Sequence, residues 1–287
     1  QNSDASGSRS TAMGDSTASG SYSLSAGFHP VASGNYSVAL GNEASASGEA
    51  SLAVGDNTVA SGNFSVALGF EATASGIASL SAGDNTVAGG LGSVALGFGA
   101  AANSNYSCAL GSRSIANHAG AFVWGDSSAG NIASAVANSV TMRAAGGYRL
   151  YSNAGGTVGA SLGPNATAWG VLSDRNAKKD FAPVDAVAVL EKLAGMPITQ
   201  WHYNWETSET TPHIGPMAQD FKAAFYPGSD DKSITTLEAD GVAFAAIQGL
   251  NQKLEATRAE NAELKQQNQT MERRLERLEQ LLAKPTK

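Results

Sequence analysis

The residues whose types could support chemistry are concentrated in one polar string, Ser173-Asp174-Arg175-Asn176-Ala177-Lys178-Lys179-Asp180. A serine hydroxyl becomes nucleophilic only beside a base, and a lysine amine acts as a base only where burial or positive neighbours lower its pKa. The five-residue spacing does not place Ser173 and Lys178 on one face of a helix. The string by itself is typical of an exposed turn before a helix, and we predict that helix over residues 186–193 with Asp185 as its N-cap.

Other reactive side chains are scattered through the first half of the chain. Cys108 is the sole cysteine of the sequence, which excludes an intrachain disulfide and a thiolate metal cluster. It occupies a Val/Leu position of a repeat and is predicted to be a small buried apolar residue. His29 and His118 fall at turns of the same repeat, and the acidic residues near them lack the spacing of metal ligands. We therefore expect no metal and no cofactor.

Composition divides the chain near residue 173. Of the 33 glycines, 28 precede this position together with four basic and eight acidic residues, and the other 14 basic and 17 acidic residues follow. The net charge of −7 is shared between both parts, so no basic patch is available for a nucleic-acid backbone. The sequence has no apolar run long enough to predict a transmembrane helix. A first residue Gln1 is compatible with removal of a secretory signal or with a recombinant start.

A glycine repeat organises the first half. Glycines recur every seven residues from Gly20 to Gly97 and again at Gly111 and Gly125, with Ser104 and His118 at the two exceptions. A strand-like heptad, Asn-Tyr-Ser-Val-Ala-Leu-Gly, alternates with a turn-like heptad, Asn-Glu-Ala-Ser-Ala-Ser-Gly. The true period is therefore 14 residues, which indicates the stacked coils of a β-solenoid.

Each coil is predicted to be thin, because its inward positions are assigned to Ala, Ser, Val and Leu. Pairs such as Val38 and Leu40 show the alternation that is typical of a strand. A thin solenoid leaves an apolar face uncovered, and association of several chains is the natural way to cover it. A flexible Gly/Ser linker is the alternative, but a linker does not maintain apolar register over many heptads.

The recurring pattern S-V-A-L-G-x-x-A-x-A-S-G resembles the YadA-like head repeats of trimeric autotransporter adhesins, over residues 5–126. The resemblance implies a left-handed parallel β-roll, three chains side by side and a surface-exposed, adhesive role. Beyond the repeat, residues 139–143 and 147–152 alternate and are predicted to be strands of a neck. Residues 201–205 alternate aromatic and polar side chains, which predicts a half-buried strand.

Ordered motifs follow in the second half: L-S-D-R-N-A-K at 172–178, H-I-G-P-M-A-Q-D-F at 213–221 and D-G-V-A-F-A-A-I-Q-G-L at 240–250. With a terminal coiled coil, they resemble the intramolecular chaperone auto-processing domain that ends phage tailspikes, tail fibres and endosialidases. The resemblance covers about 168–287. It implies a domain that trimerises, chaperones the folding of the preceding fibre and then cuts itself off before a serine.

Mapped onto this sequence, the resemblance makes Ser173 the nucleophile, Lys178 the base and Leu172–Ser173 the scissile bond, with Lys179 as an alternative base. The implied activity is at most that of a single-turnover, self-cleaving serine peptidase. Assembly of the trimer would compress the loop and so couple cleavage to correct folding. The candidate site-lining residues are Asp174, Arg175, Asn176, His213 and Gln219, the last two being either oxyanion donors or packed turn residues.

A heptad repeat over residues 247–283 predicts a parallel coiled coil. Polar layers at Thr257, Asn261 and Asn268 reduce stability but fix the register and the number of strands. The heptads do not decide between dimer and trimer, and the resemblance of the head favours a trimer. The predicted trimer contacts are Ile247, Leu250, Leu254, Asn261, Leu264, Asn268, Met271, Leu275, Leu278 and Leu282.

The predicted architecture is a mainly β half, with a trimeric β-roll head (1–126) and a β neck (127–168). It continues into an α/β chaperone auto-processing domain (169–246) and a parallel trimeric coiled coil (247–283). The predicted function is a trimeric fibre or adhesin subunit that cleaves itself between Leu172 and Ser173. Such a protein would be secreted or bound at a bacterial cell surface, or would form a phage virion fibre.

Two alternatives stay open at this point. The C-terminal domain could remain uncleaved and act as a permanent trimer clamp, or the chain could be a phage tail fibre or tailspike that binds or degrades glycans. Glycan hydrolysis requires paired carboxylates, whereas Glu43, Glu49 and Glu71 stand singly in the repeat. The predicted partners are two further copies of the chain and an unidentified cell-surface protein or glycan held by the head or neck.

Overall fold

The computed structural model describes residues 2–226 and 230–282, apart from the side chain of Leu282. Position 283, the predicted end of the coiled coil, therefore lies outside the described residues. The chain forms two compact units, Gln1–Gly170 and Val171–Lys287. Among the helices that the structure describes, none combines the length and the apolar character needed to cross a membrane.

The first unit is a parallel β-solenoid, which confirms the prediction of stacked coils. Strands of about five residues alternate with very short strands, so the heptads interpreted as turn-like also contribute to the sheet. The strands are β1 (Thr11–Ala18), β2 (Leu24–Ala32), β3 (Val38–Asn42), β4 (Ser45–Ala46), β5 (Leu52–Asp56), β6 (Val59–Ala60), β7 (Val66–Phe70), β8 (Thr73–Ala74), β9 (Leu80–Asp84), β10 (Val87–Ala88), β11 (Val94–Phe98), β12 (Ala101–Ala102), β13 (Cys108–Ser112), β14 (Ser114–Ala116), β15 (Phe122–Gly125), β16 (Ile132–Ala133) and β17 (Val140–Arg143).

The register of the solenoid follows the 14-residue period. Leu52 pairs with Val38 in the coil before it and with Val66 in the coil after it. The first coil is one residue short, since β1 and β2 change register between Asp15 and Thr17. The last coil is longer, because Phe122 pairs with Val140. The parallel pairing thus continues beyond residue 126 to the end of β17.

The interior of the solenoid is filled mostly by alanine and serine, with a few larger side chains such as Thr58 and Thr86. Ala39, Ala53 and Ser37 are fully buried, whereas Val38 and Leu40, on either side of Ala39, are only half-buried. The expectation that Val and Leu share the inward positions is therefore wrong, and these side chains project outward. A regular coil of 14 residues encloses room mainly for small side chains, and protein interiors fill such space closely. The longer last coil buries a valine, Val123, at the position that Ala109 occupies in the coil before it.

Glycine at the corners is required by the close approach of successive coils. Gly41 has a φ of 121°, and a Cβ built on it would lie 2.1 Å from the carbonyl oxygen of Gly55, one coil further on. A residue with a side chain would be strained in this conformation and would also clash with the backbone. Corner glycines such as Gly41 and Gly55 therefore stack directly on one another, which holds the regular coils in register.

An ionic and hydrogen-bonded clamp closes the last coil. Asp126 accepts hydrogen bonds from Arg143 Nε at 2.9 Å and from the backbone N–H groups of Ala145 and Ser128. Arg143 also donates to the carbonyl oxygen of Gly130 at 3.0 Å. A small sheet follows, in which β18 (Tyr148–Tyr151) pairs antiparallel with β19 (Gly159–Leu162), and β20 (Gly170–Val171) is its third strand. The strands predicted at 139–143 and 147–152 are thus confirmed.

The second unit combines helices with one strand pair. Its elements are a 3-10 turn (Arg175–Ala177), α1 (Ala186–Gly195), β21 (Thr199–Trp201), β22 (His213–Gly215), α2 (Ala218–Phe225) and α3 (Thr236–Leu282). Asp185 caps α1 by accepting hydrogen bonds from the N–H groups of Val187 and Ala188, which confirms the predicted cap. The predicted strand over 201–205 is wrong beyond Trp201, because Glu206 N–H donates to the carbonyl oxygen of Tyr203 and closes a turn there.

Helix α1 packs closely against α3 through a glycine. A Cβ on Gly249 would lie 2.1 Å from the carbonyl oxygen of Ala186, so the two helices are in backbone contact at this point. Four residues further along α3, Lys253 donates to Glu191 of α1 at 2.9 Å. The small core of the unit includes Ala186, Phe221 and Ala246, all of which are buried.

Candidate functional site

The polar string at the start of the second unit folds into a tight turn around Asp174. Its carboxylate oxygen accepts hydrogen bonds from the backbone N–H of Asn176 at 3.0 Å and from the Asn176 side-chain amide at 3.2 Å. The backbone N–H of Ala177 donates to the carbonyl oxygen of Asp174, and that of Lys178 donates to Arg175, both at 3.1 Å. Local hydrogen bonds of this kind are the reason that aspartate initiates helical turns.

The turn brings the candidate nucleophile and base together. Lys178 Nζ lies 2.8 Å from Ser173 Oγ, within hydrogen-bonding distance. A regular α-helix would not have achieved this contact at a spacing of five residues, whereas the 3-10 turn reverses the chain over three residues. Lys179, the alternative base, makes no hydrogen bond to Ser173 within the ranges that the structure describes.

The far side of the turn is held by an aromatic contact. The Arg175 guanidinium lies over the ring of Phe181, 5.7 Å from its centroid. Between them, Asp180 adopts a left-handed conformation with a φ of 56°, which aspartate tolerates better than most residues. Arg175 is therefore engaged with Phe181, and the loop from Ser173 to Phe181 folds back on itself.

The serine–lysine pair is open to solvent in a single chain. Ser173 and Lys178 are both exposed, and so is Leu172 on the other side of the candidate scissile bond. A lysine becomes a base when the loss of water around its ammonium group favours the neutral amine. One chain thus supplies the geometry for proton transfer between Lys178 and Ser173, and burial has to come from elsewhere.

His213 and Gln219 occupy a separate aromatic cluster. His213 stacks on Trp201 with 4.5 Å between ring centroids, and its Nε2 lies 3.0 Å from Glu206 Oε1. The hydrogen bond from His213 holds the pKa of the Glu206 carboxyl below its usual range, and the backbone N–H of Tyr203 adds to this effect. Gln219 lines a neighbouring cavity of about 500 Å³ together with Trp201 and Trp205. Neither residue hydrogen-bonds to Ser173 or Lys178 in the described part of the chain.

The predicted coiled-coil positions form an uncovered apolar stripe along α3. Ile247 is 62% exposed and Leu275 is 58% exposed, although both are large and apolar. Asn261 and Asn268 interrupt the stripe and are also exposed. The side chain of Leu282, the last predicted contact, is not among the atoms that the structure describes. The other members of the stripe are Leu250, Leu254, Leu264, Met271 and Leu278.

A second apolar stripe runs along the head. It consists of the outward residues that flank each buried alanine or serine of the long strands, such as Val66 and Leu68 of β7. Cys108 lies in this stripe and is half-buried rather than buried, and its partial burial raises the pKa of the thiol. The stripe continues through Phe122 and Trp124 of β15. An apolar surface that extends over so many coils indicates an interface with another chain.

The histidines of the head contact neighbouring coils. His29 Nε2 lies 3.1 Å from Asp15 Oδ2, and His118 Nδ1 lies 2.8 Å from the Ser134 hydroxyl. Both residues therefore connect one coil to the next; His118 lies between strands as expected for a turn residue, whereas His29 lies within β2.

Comparison with known families places two domains in this order along the chain. Residues 18–44, 32–58, 46–72 and 88–114 match the model described as a YadA head domain repeat, and residues 173–228 match the model described as a chaperone of endosialidase. Between the matched repeats, β8–β10 keep the same register, so the solenoid is continuous there. The chaperone match begins at Ser173. Among curated proteins, none matches the chain significantly.

Proposed function

We propose that this chain, which carries YadA head repeats followed by a chaperone-of-endosialidase domain, is a self-processing subunit of a trimeric surface fibre. The head is the functional product, and the second unit assembles it and then cuts the chain between Leu172 and Ser173. The observation that carries the cleavage step is the 2.8 Å contact between Lys178 Nζ and Ser173 Oγ at the first residue of the chaperone domain.

Cleavage proceeds through an ester. Neutral Lys178 takes the proton of the Ser173 hydroxyl, and Oγ attacks the carbonyl carbon of Leu172. The Leu172–Ser173 amide bond breaks as the amide nitrogen takes up a proton, which leaves Leu172 esterified to the Ser173 side chain. Water then opens the ester to give a Leu172 carboxylate, and Ser173 regains its hydroxyl and carries a free amine. His213 and Gln219 stay candidate oxyanion donors in the assembled trimer.

Trimer formation is the step that switches the pair on. In one chain Lys178 is exposed to solvent. Association along the stripe of α3 and the stripe of the head would bring three second units together and remove water from the loop. Cleavage would then report on completed assembly, because an unassembled chain keeps its lysine solvated.

The proposed domains are the head at 1–126, the neck at 127–168, the auto-processing domain at 169–246 and the coiled coil at 247–283. The first strands of the neck, β16 and β17, complete the last coil of the head. The fibre would act outside the cell, at a bacterial surface or on a phage virion, and would bind a surface protein or glycan through its head or neck.

Intact mass measurement on the full chain tests the proposal. We expect the wild-type chain to yield fragments 1–172 and 173–287 once trimers form, and both Ser173→Ala and Lys178→Ala to stay intact. Lys179→Ala is the matched control, because it removes the adjacent amine that does not contact Ser173, and it should cleave like the wild type. A wild-type trimer that stays intact would refute self-cleavage and favour the permanent clamp.

A further inference from the structure

Asp174 occupies a special place in the loop, since it lies between the candidate nucleophile and the turn that carries the base. Its Oδ1 accepts both donors of Asn176, the backbone N–H and the side-chain amide. These bonds start the 3-10 turn Arg175–Ala177, after which Lys178 leaves in an extended conformation with a φ of −119°. The side chain of Lys178 returns to Ser173 only because the chain has turned in between.

We infer that Asp174 is a positioning residue for self-cleavage, and this inference rests on the proposed function of Ser173 and Lys178. Without the turn, an extended chain would place the Cα atoms of the two residues as much as ~17 Å apart. A lysine side chain does not bridge such a distance to make a hydrogen bond. The carboxylate of Asp174 therefore acts through the backbone, by holding the turn in which the two reacting side chains meet.

The charge of Asp174 is not what the reaction uses. A nearby negative charge favours the charged form of a lysine and so opposes its action as a base. Within the described residues, Asp174 forms no ion pair with Lys178 or Lys179. Its oxygen is instead committed to Asn176. An uncharged acceptor of the same shape should consequently replace it.

The test compares Asp174→Ala with Asp174→Asn in full-length trimers. Cleavage is followed over time after assembly and is expressed per trimer, so that differences in yield do not enter. Loss of a capping acceptor should slow Asp174→Ala by about fivefold, the effect of a typical N-cap on the population of a turn. Asp174→Asn keeps the acceptor and should cleave within about twofold of the wild type. The pH profile of Asp174→Ala should match that of Asp174→Asn, because both variants remove the same charge and keep Lys178.

Asp185→Ala is the matched control. Asp185 also caps a helix in the second unit with its carboxylate, but its partners are Val187 and Ala188 of α1. Its loss should lower the melting temperature of the unit and leave the cleavage rate of assembled trimers unchanged. The inference is overturned if Asp174→Ala cleaves as fast as the wild type, or if Asp174→Asn is as slow as Asp174→Ala. An intact wild-type chain would refute the proposed function, and with it any role for Asp174 in cleavage.

Discussion

Replacement of Gly249 by alanine measures how tightly α1 is fastened to α3. The new Cβ would lie 2.1 Å from the carbonyl oxygen of Ala186 and 2.6 Å from its carbon, and backbone atoms cannot rotate away as a side chain could. Helix α1 must retreat, and overpacking of this kind costs about 1–3 kcal/mol. Alanine also favours the helix over glycine by about 0.5–1 kcal/mol, which partly offsets the loss.

A second glycine of the same helix isolates the packing contribution. Gly241 has no atom within 4 Å of an added Cβ, so Gly241→Ala should gain only the helix propensity. The difference in unfolding free energy between the two variants is then the packing cost alone, about 1–3 kcal/mol. Urea unfolding of uncleaved Ser173→Ala trimers, followed by helical circular dichroism, reports on this unit because the head is β-structured. Equal stabilities of Gly249→Ala and Gly241→Ala would refute the backbone contact between α1 and α3.

Two further outcomes are expected for the head. Val66→Asp places a charge in the outward apolar stripe and should lower the melting temperature of the head in Ser173→Ala trimers, whereas Thr73→Asp, on the neighbouring short strand, should not. Equal melting temperatures of the two variants would contradict the assignment of the interface. The pKa of Asp126 lies well below its usual value of about 3.9. The largest cause is the hydrogen bond from the backbone N–H of Ala145, and the second is the hydrogen bond from Arg143. Because folding lowers this pKa, the ionised Asp126 stabilises the folded head at neutral pH, and this stabilisation is lost as the pH falls below the usual value. Asp126→Asn should therefore have a lower melting temperature than the wild type at pH 7. Its melting temperature should also fall less than that of the wild type when the solution is acidified.

Much of the head could be predicted from sequence because its signal is periodic. The spacing of the glycines predicts that each residue pairs with the residue 14 positions later in the chain, and Val38 does pair with Leu52. Alternation within a strand says that two faces differ, but it does not say which face is the inside. Val38 and Leu40 are more apolar than Ala39 and are expected to face inward, yet in this coil the buried position is taken by the alanine.

Features that depend on a single contact carry no periodic signal. The clamp between Asp126 and Arg143 joins residues from different coils, and the sequence around them shows no repeat that could have revealed it. Gly249 sits inside a heptad pattern, where a glycine otherwise only weakens a helix, so its contact with Ala186 becomes evident once α1 is in place. The contact between Ser173 and Lys178 was suggested by resemblance, and the 3-10 turn supplies its physical basis.

The stacking of corner glycines sets the length of the head in units of one coil. Because Gly41 lies directly against the backbone of Gly55, an insertion of a few residues would place a side chain where none fits. Within the regular coils, length should therefore change by whole coils of 14 residues, each of which adds the spacing of neighbouring strands, about 4.8 Å. Deletion of residues 41–54 should therefore shorten the head by one coil and leave both of its ends intact. A head built in this way can change its length by whole coils while the second unit stays the same.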